Sequence, residues 1–317
     1  MRDVFIRTLR GLAEADPRVM LMTGDLGFAV LASFARDLPK QYLNVGVAEQ
    51  NLTGVACGAA LSGYTVFTYS IGPFPTLRCL EQIRNDLCYH DANVKVVAVG
   101  GGFSYGSLGM SHHATEDIAI LRSLPGMTVL CPGDLYEAAE ATKIAYHTSG
   151  PCYLRLDKSA APERRDAAHQ MIAGRPRQLR VGSTVAILGV GGVLEDALDA
   201  ADALDRDGLS CAVHSVHTIK PLDSRAIAAI VRKAALVVTV EEHAIEGGLG
   251  SAVLEACATE GTWPARFLRF ALQNEFASVA GSQKYLRERY GLSAAALVRG
   301  IREAMVSPAG SPASKEI

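Results

Sequence analysis

The sequence predicts an α/β protein of two doubly wound domains, each with a mostly parallel sheet covered by helices. Three observations carry that expectation. Short apolar, β-branched runs alternate with amphipathic stretches of helix length, the pattern of strands joined by crossover helices. The chain has 317 residues, more than one typical domain needs. The alternation also stops once, over a polar stretch broken by prolines, and then resumes.

In the first half, strands are expected at 19–22, 42–47, 65–69, 95–99, 127–130 and 152–156, with helices at 4–15, 50–61, 77–89 and 135–147. The stretch 161–182 is polar and basic, contains Pro162 and Pro176, and reads as a linker crossing the surface. Strands at 184–190, 211–216, 236–240 and 267–270 follow, with helices at 194–204, 224–233 and 250–258 between them. The division is therefore a first domain at 1–160, the linker, a second domain at 183–306, and an aperiodic tail, 307–317, expected to be disordered.

Composition removes several function classes. Lys and Arg total 31 against 33 Asp and Glu, a net charge of −2, with no long basic run, so nucleic acid is not expected as a partner. No apolar run approaches the roughly 20 residues a membrane span needs, and the N-terminus lacks a signal-peptide core. Seven cysteines are dispersed without a CxxC pair, which reads as reduced core thiols in a cytoplasmic protein. Hydrophobic residues make up 49% of the chain, enough for two buried cores.

Three segments are candidates for chemistry. In NVGVAEQN, 44–51, a strand ends at Gly46 and Glu49 opens the next helix. Ligands of open α/β sheets sit at the carboxyl ends of strands, although a Glu in a first helical turn is also favoured by the helix dipole alone. The glycine-rich segment 100–117 follows a strand and carries His112 and His113. Such a loop lets a substrate approach its backbone, or its histidines are polar residues without a role. No ligand spacing for a metal surrounds them. The turn Gly189-Val190-Gly191-Gly192 lacks the third glycine and the acidic residue of a dinucleotide fingerprint, and reads as a tight turn.

Together with TGDLG at 23–27, LEQIRND at 80–86, SHHATEDIAILRSLPGM at 111–127, IKPLD at 219–223 and EEHAIEGGLGS at 241–251, these segments resemble the C-terminal half of transketolase. Deoxyxylulose phosphate synthase and the beta subunits of 2-oxo-acid dehydrogenases are similar nearly as well. The resemblance runs from Arg2 to about Met305. It implies a pyrimidine-binding domain followed by the family's C-terminal domain, with thiamine diphosphate as cofactor.

Residue by residue, the resemblance makes Glu49 the carboxylate that bonds the ring nitrogen of the aminopyrimidine and so activates the thiazolium carbon. His112 falls on a histidine that donates to the substrate oxygen. Lys158 falls on a residue that binds substrate phosphate, with a solvated linker lysine as the plain alternative. His113 is a supporting or substrate-facing polar residue. Asp25 matches an acidic residue near the cofactor, or caps the next helix. Phe74 is the nearest aromatic for stacking on the pyrimidine, Tyr69 the second.

Departures narrow the substrate. Polar residues that contact sugar hydroxyls in the family are replaced by Leu108, Gly100 and Ala29 or a neighbour. Leaving a hydroxyl unpaired in a closed site costs roughly 1–3 kcal/mol, so a specialised sugar is expected in place of the usual pentose phosphates. The family's GDG diphosphate motif is also missing, since Leu26 follows Gly24-Asp25. Diphosphate and Mg2+ are therefore expected from a separate N-terminal subunit, in a heterotetramer of two alpha-like and two beta-like chains in which this chain also dimerises. The competing readings are a 2-oxo-acid dehydrogenase beta subunit and a non-catalytic scaffold subunit.

Overall fold

The computed structural model describes residues 1–163 and 170–306. Two sheets organise them. The larger contains β1 (Val19–Thr23), β2 (Tyr42–Asn44), β3 (Thr65–Ile71), β4 (Val94–Val99), β5 (Thr128–Leu130) and β6 (Cys152–Leu156). Its smaller companion contains β7 (Arg177–Arg180), β8 (Val185–Val190), β9 (Cys211–Ser215), β11 (Leu236–Ala244) and β12 (Phe267–Leu272). A further strand, β10 (Thr218–Lys220), belongs to the larger sheet.

The strand orders are β10-β5-β6-β4-β3-β1-β2 and β12-β11-β8-β9-β7. Every neighbouring pair is parallel except the edge pairs β10–β5 and β7–β9. This is the α/β, mostly parallel architecture the alternation of strand and helix implied.

The helices are α1 (Arg2–Ala15), α2 (Phe28–Asp37), α3 (Glu49–Leu61), α4 (Leu80–Gln82), α5 (Asp117–Ser123), α6 (Leu135–His147), α7 (Leu194–Arg206), α8 (Ser224–Val231), α9 (Leu249–Thr259), α10 (Gln283–Arg289) and α11 (Ala294–Val306). Helices α1, α2, α3, α5 and α6 cover both faces of the larger sheet. One face packs α1, α2 and α6 through Phe5, Leu9, Phe34 and Ala141. The other packs α3 and α5 through Leu52, Ala56 and Leu121, and its core runs on into Leu188, Val237 and Val253 of the second sheet and its helices. Burial on both faces explains why β4 reads VKVVAV without polar alternation. Its one charge, Lys95, is fully buried and donates to the Thr148 and Gly150 carbonyls, each at 2.6 Å.

Three local expectations are corrected. The stretch 161–182 is not only a surface linker, because β7 lies within it. Arg177, buried in β7, pairs with Asp134, the N-cap of α6, and with Glu137 in its first turn, and the charges that made the segment look solvated are what dock it. The helix expected at 77–89 starts at Leu80 and widens into a π-turn over Ile83–Cys88. β10, inside the stretch 183–306, completes the edge of the first sheet, so the two halves interlock. The expected disorder of 307–317 lies outside the described residues.

Candidate active site

Sheet order decides which side chains can meet. The strands β4, β3, β1 and β2 are consecutive neighbours. The segment holding Asp25 leaves the carboxyl end of β1, and that holding Glu49 leaves β2. Phe74 follows β3, and His112 follows β4. Four candidates thus come from one contiguous stretch of sheet edge, the usual ligand position in this architecture.

Glu49 opens α3 and is only 3% exposed. Gly46, at a φ of 77°, makes the turn that delivers it. Gly24 packs against it, and a Cβ there would meet the Glu49 Cγ at 3.7 Å. The carboxylate does not stand alone. Nη1 of Arg78 donates to Glu49 Oε2 at 2.7 Å. The same guanidinium lies over the Phe74 ring, 4.6 Å from its centroid. The His112 ring then meets Phe74 edge-on at 5.2 Å. Glu49, Arg78, Phe74 and His112 therefore form one continuous row.

Arg78 is the member of the row that the sequence does not announce. A single arginine in a loop belongs to no motif, and its place just before LEQIRND is the one hint it gives.

His112 Nδ1 lies 3.1 Å from the Ser111 hydroxyl, and Nε2 has no protein partner among the described residues. A histidine anchored through one nitrogen can present the other to an oxygen of a bound molecule. His113 points elsewhere. It is buried edge-on against Phe103 at 5.1 Å, and burial pushes its pKa down, so it is a neutral packing residue and not part of the row.

Tyr69 is removed as a stacking candidate. Its ring is buried in the core, stacked on Phe5 at 6.2 Å, because the period of β3 turns it toward α1. Phe74, half-buried in the loop, remains.

Asp25 does not cap α2, whose N-cap is Gly27. Its carboxylate accepts from Asn44 Nδ2 at 2.9 Å while its amide donates to Asn44 Oδ1 at 3.0 Å, tying the ends of β1 and β2 together. Lys158 follows β6, the neighbour of β4, with its ammonium 3.8 Å over the Tyr105 ring. Partial burial lowers its pKa. It is exposed but held, unlike a free linker lysine.

The glycines at 100–102 do not open the loop to a ligand, as their number suggested. A Cβ on Gly100 would collide with the Tyr105 ring, and one on Gly102 would collide with the Glu242 carboxylate. They let the loop close on the protein itself.

The donor set fits an aminopyrimidine ring. A nearly buried carboxylate offers an in-plane acceptor, an aromatic face stands beside it, and an imidazole follows. Among the described residues no group of three or more His, Cys, Asp or Glu could hold a metal ion. A cavity of about 660 Å³ lies away from this row, between the 170–178 segment, β9 and α8.

Comparison with known proteins gives the family. Residues 1–164 match the family described as transketolase, pyrimidine binding domain, and residues 174–297 match transketolase, C-terminal domain. An apulose-4-phosphate transketolase subunit of Actinobacillus succinogenes is 33% identical over 94% of this chain and 94% of its own. The 6-deoxy-6-sulfo-D-fructose transketolase subunit SqwH of a Clostridium species is 34% identical over 96% of this chain and 94% of its own. A solved split gene transketolase, an inactive beta4 tetramer, is 33% identical, covers 96% of this chain with 97% of its own, and superposes with a TM-score of 0.87.

Proposed function

The chain belongs to the transketolase family, as the C-terminal subunit of a split, thiamine-diphosphate-dependent transketolase, and from that premise we propose that the row Glu49–Phe74–His112 is its half of the active site. When bound, the cofactor supplies a nucleophilic carbon that accepts and passes on a two-carbon ketol unit. Glu49 holds or returns a proton at the pyrimidine ring nitrogen, and its burial protects that exchange from water. Phe74 supports the ring face. His112 Nε2 donates to the substrate oxygen on which negative charge develops. Lys158 attracts the anionic end of the substrate, and Asp25 holds the β1 and β2 loops in place around Glu49.

The observation that carries the reading is the meeting of Phe74 and His112 edge to face, joined to Glu49 through Arg78. The substrate is a specialised sugar or sugar phosphate. By the resemblance, Leu108, Gly100 and Ala29 or a neighbour replace residues that contact common sugars, and the relatives are named for apulose 4-phosphate and a sulfofructose.

The diphosphate and Mg2+ are held by an N-terminal subunit in a cytoplasmic α2β2 assembly that includes a dimer of this chain. Exposed apolar side chains flank the row, among them Val47, Leu77, Leu108 and Met110, and are suited to burial by that partner. Co-expression with such a subunit tests the whole reading. The complex should transfer a ketol unit and the isolated chain should not. Glu49→Ala should lower kcat at least about 100-fold with assembly intact. Turnover by the isolated chain, or an active Glu49→Ala complex, would refute it.

A further inference from the structure

Arg78 makes two contacts that a pyrimidine would also need. Its guanidinium donates to Glu49 Oε2 at 2.7 Å and lies over Phe74 at 4.6 Å from the ring centroid. A guanidinium and an aminopyrimidine protonated at its ring nitrogen are both planar, delocalised cations with N–H donors in the plane. Each can bond a carboxylate edge-on while covering an aromatic ring with its face. One acceptor and one aromatic face are therefore claimed by the same protein side chain.

We propose that Arg78 is a displaceable stand-in for the cofactor's aminopyrimidine, so that loading the site requires this guanidinium to leave Glu49 and Phe74. The inference rests on Glu49 and Phe74 being the pyrimidine-binding pair.

The surroundings permit the exchange. The Arg78 side chain is 48% exposed while that of Glu49 is 3% exposed, so Arg78 is the partner that can swing into water. Its backbone is held meanwhile, because Gln50 Nε2 donates to the Arg78 carbonyl at 3.2 Å. Displacement therefore involves rotation of one side chain and no movement of the loop. The arrangement also compensates the buried Glu49 charge until a ring arrives. A buried carboxylate with no partner is destabilising, and a half-exposed ion pair is weak enough to be broken.

The prediction is that Arg78 competes with the cofactor. Arg78→Met retains the stem of the side chain and removes the competing plane and charge. In the reconstituted complex, binding of thiamine diphosphate with Mg2+, read by calorimetry, should tighten about tenfold, with faster association in stopped flow. That factor is what releasing one half-exposed ion pair and one half-exposed cation–π contact supplies. Arg78→Lys keeps the charge without the plane and should tighten binding by a smaller factor. It serves as the test if the Met variant assembles poorly. Unchanged or weakened binding in the assembled variant would overturn the proposal. So would a structure of the cofactor-loaded complex in which Arg78 still bonds Glu49. Failure here is separable from failure of the site assignment. Glu49→Gln abolishing turnover while Arg78→Met leaves binding unchanged rejects the stand-in alone, whereas an active Glu49→Gln rejects the assignment itself.

Discussion

At the scale of single residues, function turns on how neighbouring strand ends present a few side chains. His112 is the clearest case. One ring nitrogen is engaged by Ser111, the ring edge rests on Phe74, and Nε2 has no protein partner among the described residues. His112→Phe would keep the aromatic contact and remove the donor. It should lower kcat in the assembled enzyme about 10²–10³-fold while leaving cofactor affinity unchanged. Steady-state kinetics with calorimetry separates the two quantities, and a retained kcat would show that His112 only packs. His112, Glu49 and Phe74 are legible in the sequence because each sits in or beside a motif whose order along the chain is distinctive. Arg78 is not, since a lone arginine in a loop has no pattern and its meaning comes only from what it touches. Tyr69 misleads for a related reason. It lies a few residues before the Phe74 loop, but strand period points its ring the other way, into Phe5.

Elements are legible where hydrophobic period dominates and obscure where charge carries the packing. β4 and β8 announce themselves by nearly unbroken apolar runs. β7, reading Arg-Gln-Leu-Arg, does not, because it buries one apolar side chain, Leu179, and Arg177 docks through Asp134 and Glu137. Beside it, β9 hides another consequence of burial. His214 lines the cavity shared with Arg175, Arg177 and Lys233, and burial lowers its pKa to about 4 from an ordinary 6.5. Between those values the unfolded chain binds a proton that the folded chain refuses. Stability that His214 leaves intact at pH 7 is therefore lost as pH falls through 6.5 toward 4. The loss between pH 7 and pH 5 is on the order of 2 kcal/mol. Urea unfolding of the wild type and of His214→Leu at both pH values checks this. The variant should lose less stability on acidification, and equal losses would remove His214 as the cause.

At the scale of the whole molecule, the sequence divides the chain into two units, whereas buried charge joins them. Glu242, at 2% exposure in β11, accepts from the Phe103 amide of the first unit and from Arg287 Nε. Gln283 Nε2 donates to it at 2.9 Å. Arg287 donates in turn to Ser159 at 2.8 Å and Asp196 at 3.1 Å, and Arg155 of β6 donates to the Glu242 carbonyl at 3.1 Å. Such a cluster contributes little net stability, because desolvating its charges offsets their attraction, but removing one member leaves the others uncompensated. It therefore acts chiefly on cooperativity. Far-UV circular dichroism follows both sheets, while pulsed hydrogen exchange of the β8 and β11 amides at each urea concentration follows only the second. In the wild type the two urea transitions should coincide. Glu242→Gln keeps the shape but not the charge and leaves Arg287 paired with Asp196 alone. It should cost about 3–5 kcal/mol and pull the two transitions apart, the first unit losing the contact that its Gly102 loop is shaped to fit. Transitions already separate in the wild type would show that the halves unfold independently and this cluster does not couple them; transitions still coincident and unshifted in the variant would show that apolar packing across β8 and β11, and not this cluster, makes the halves unfold together.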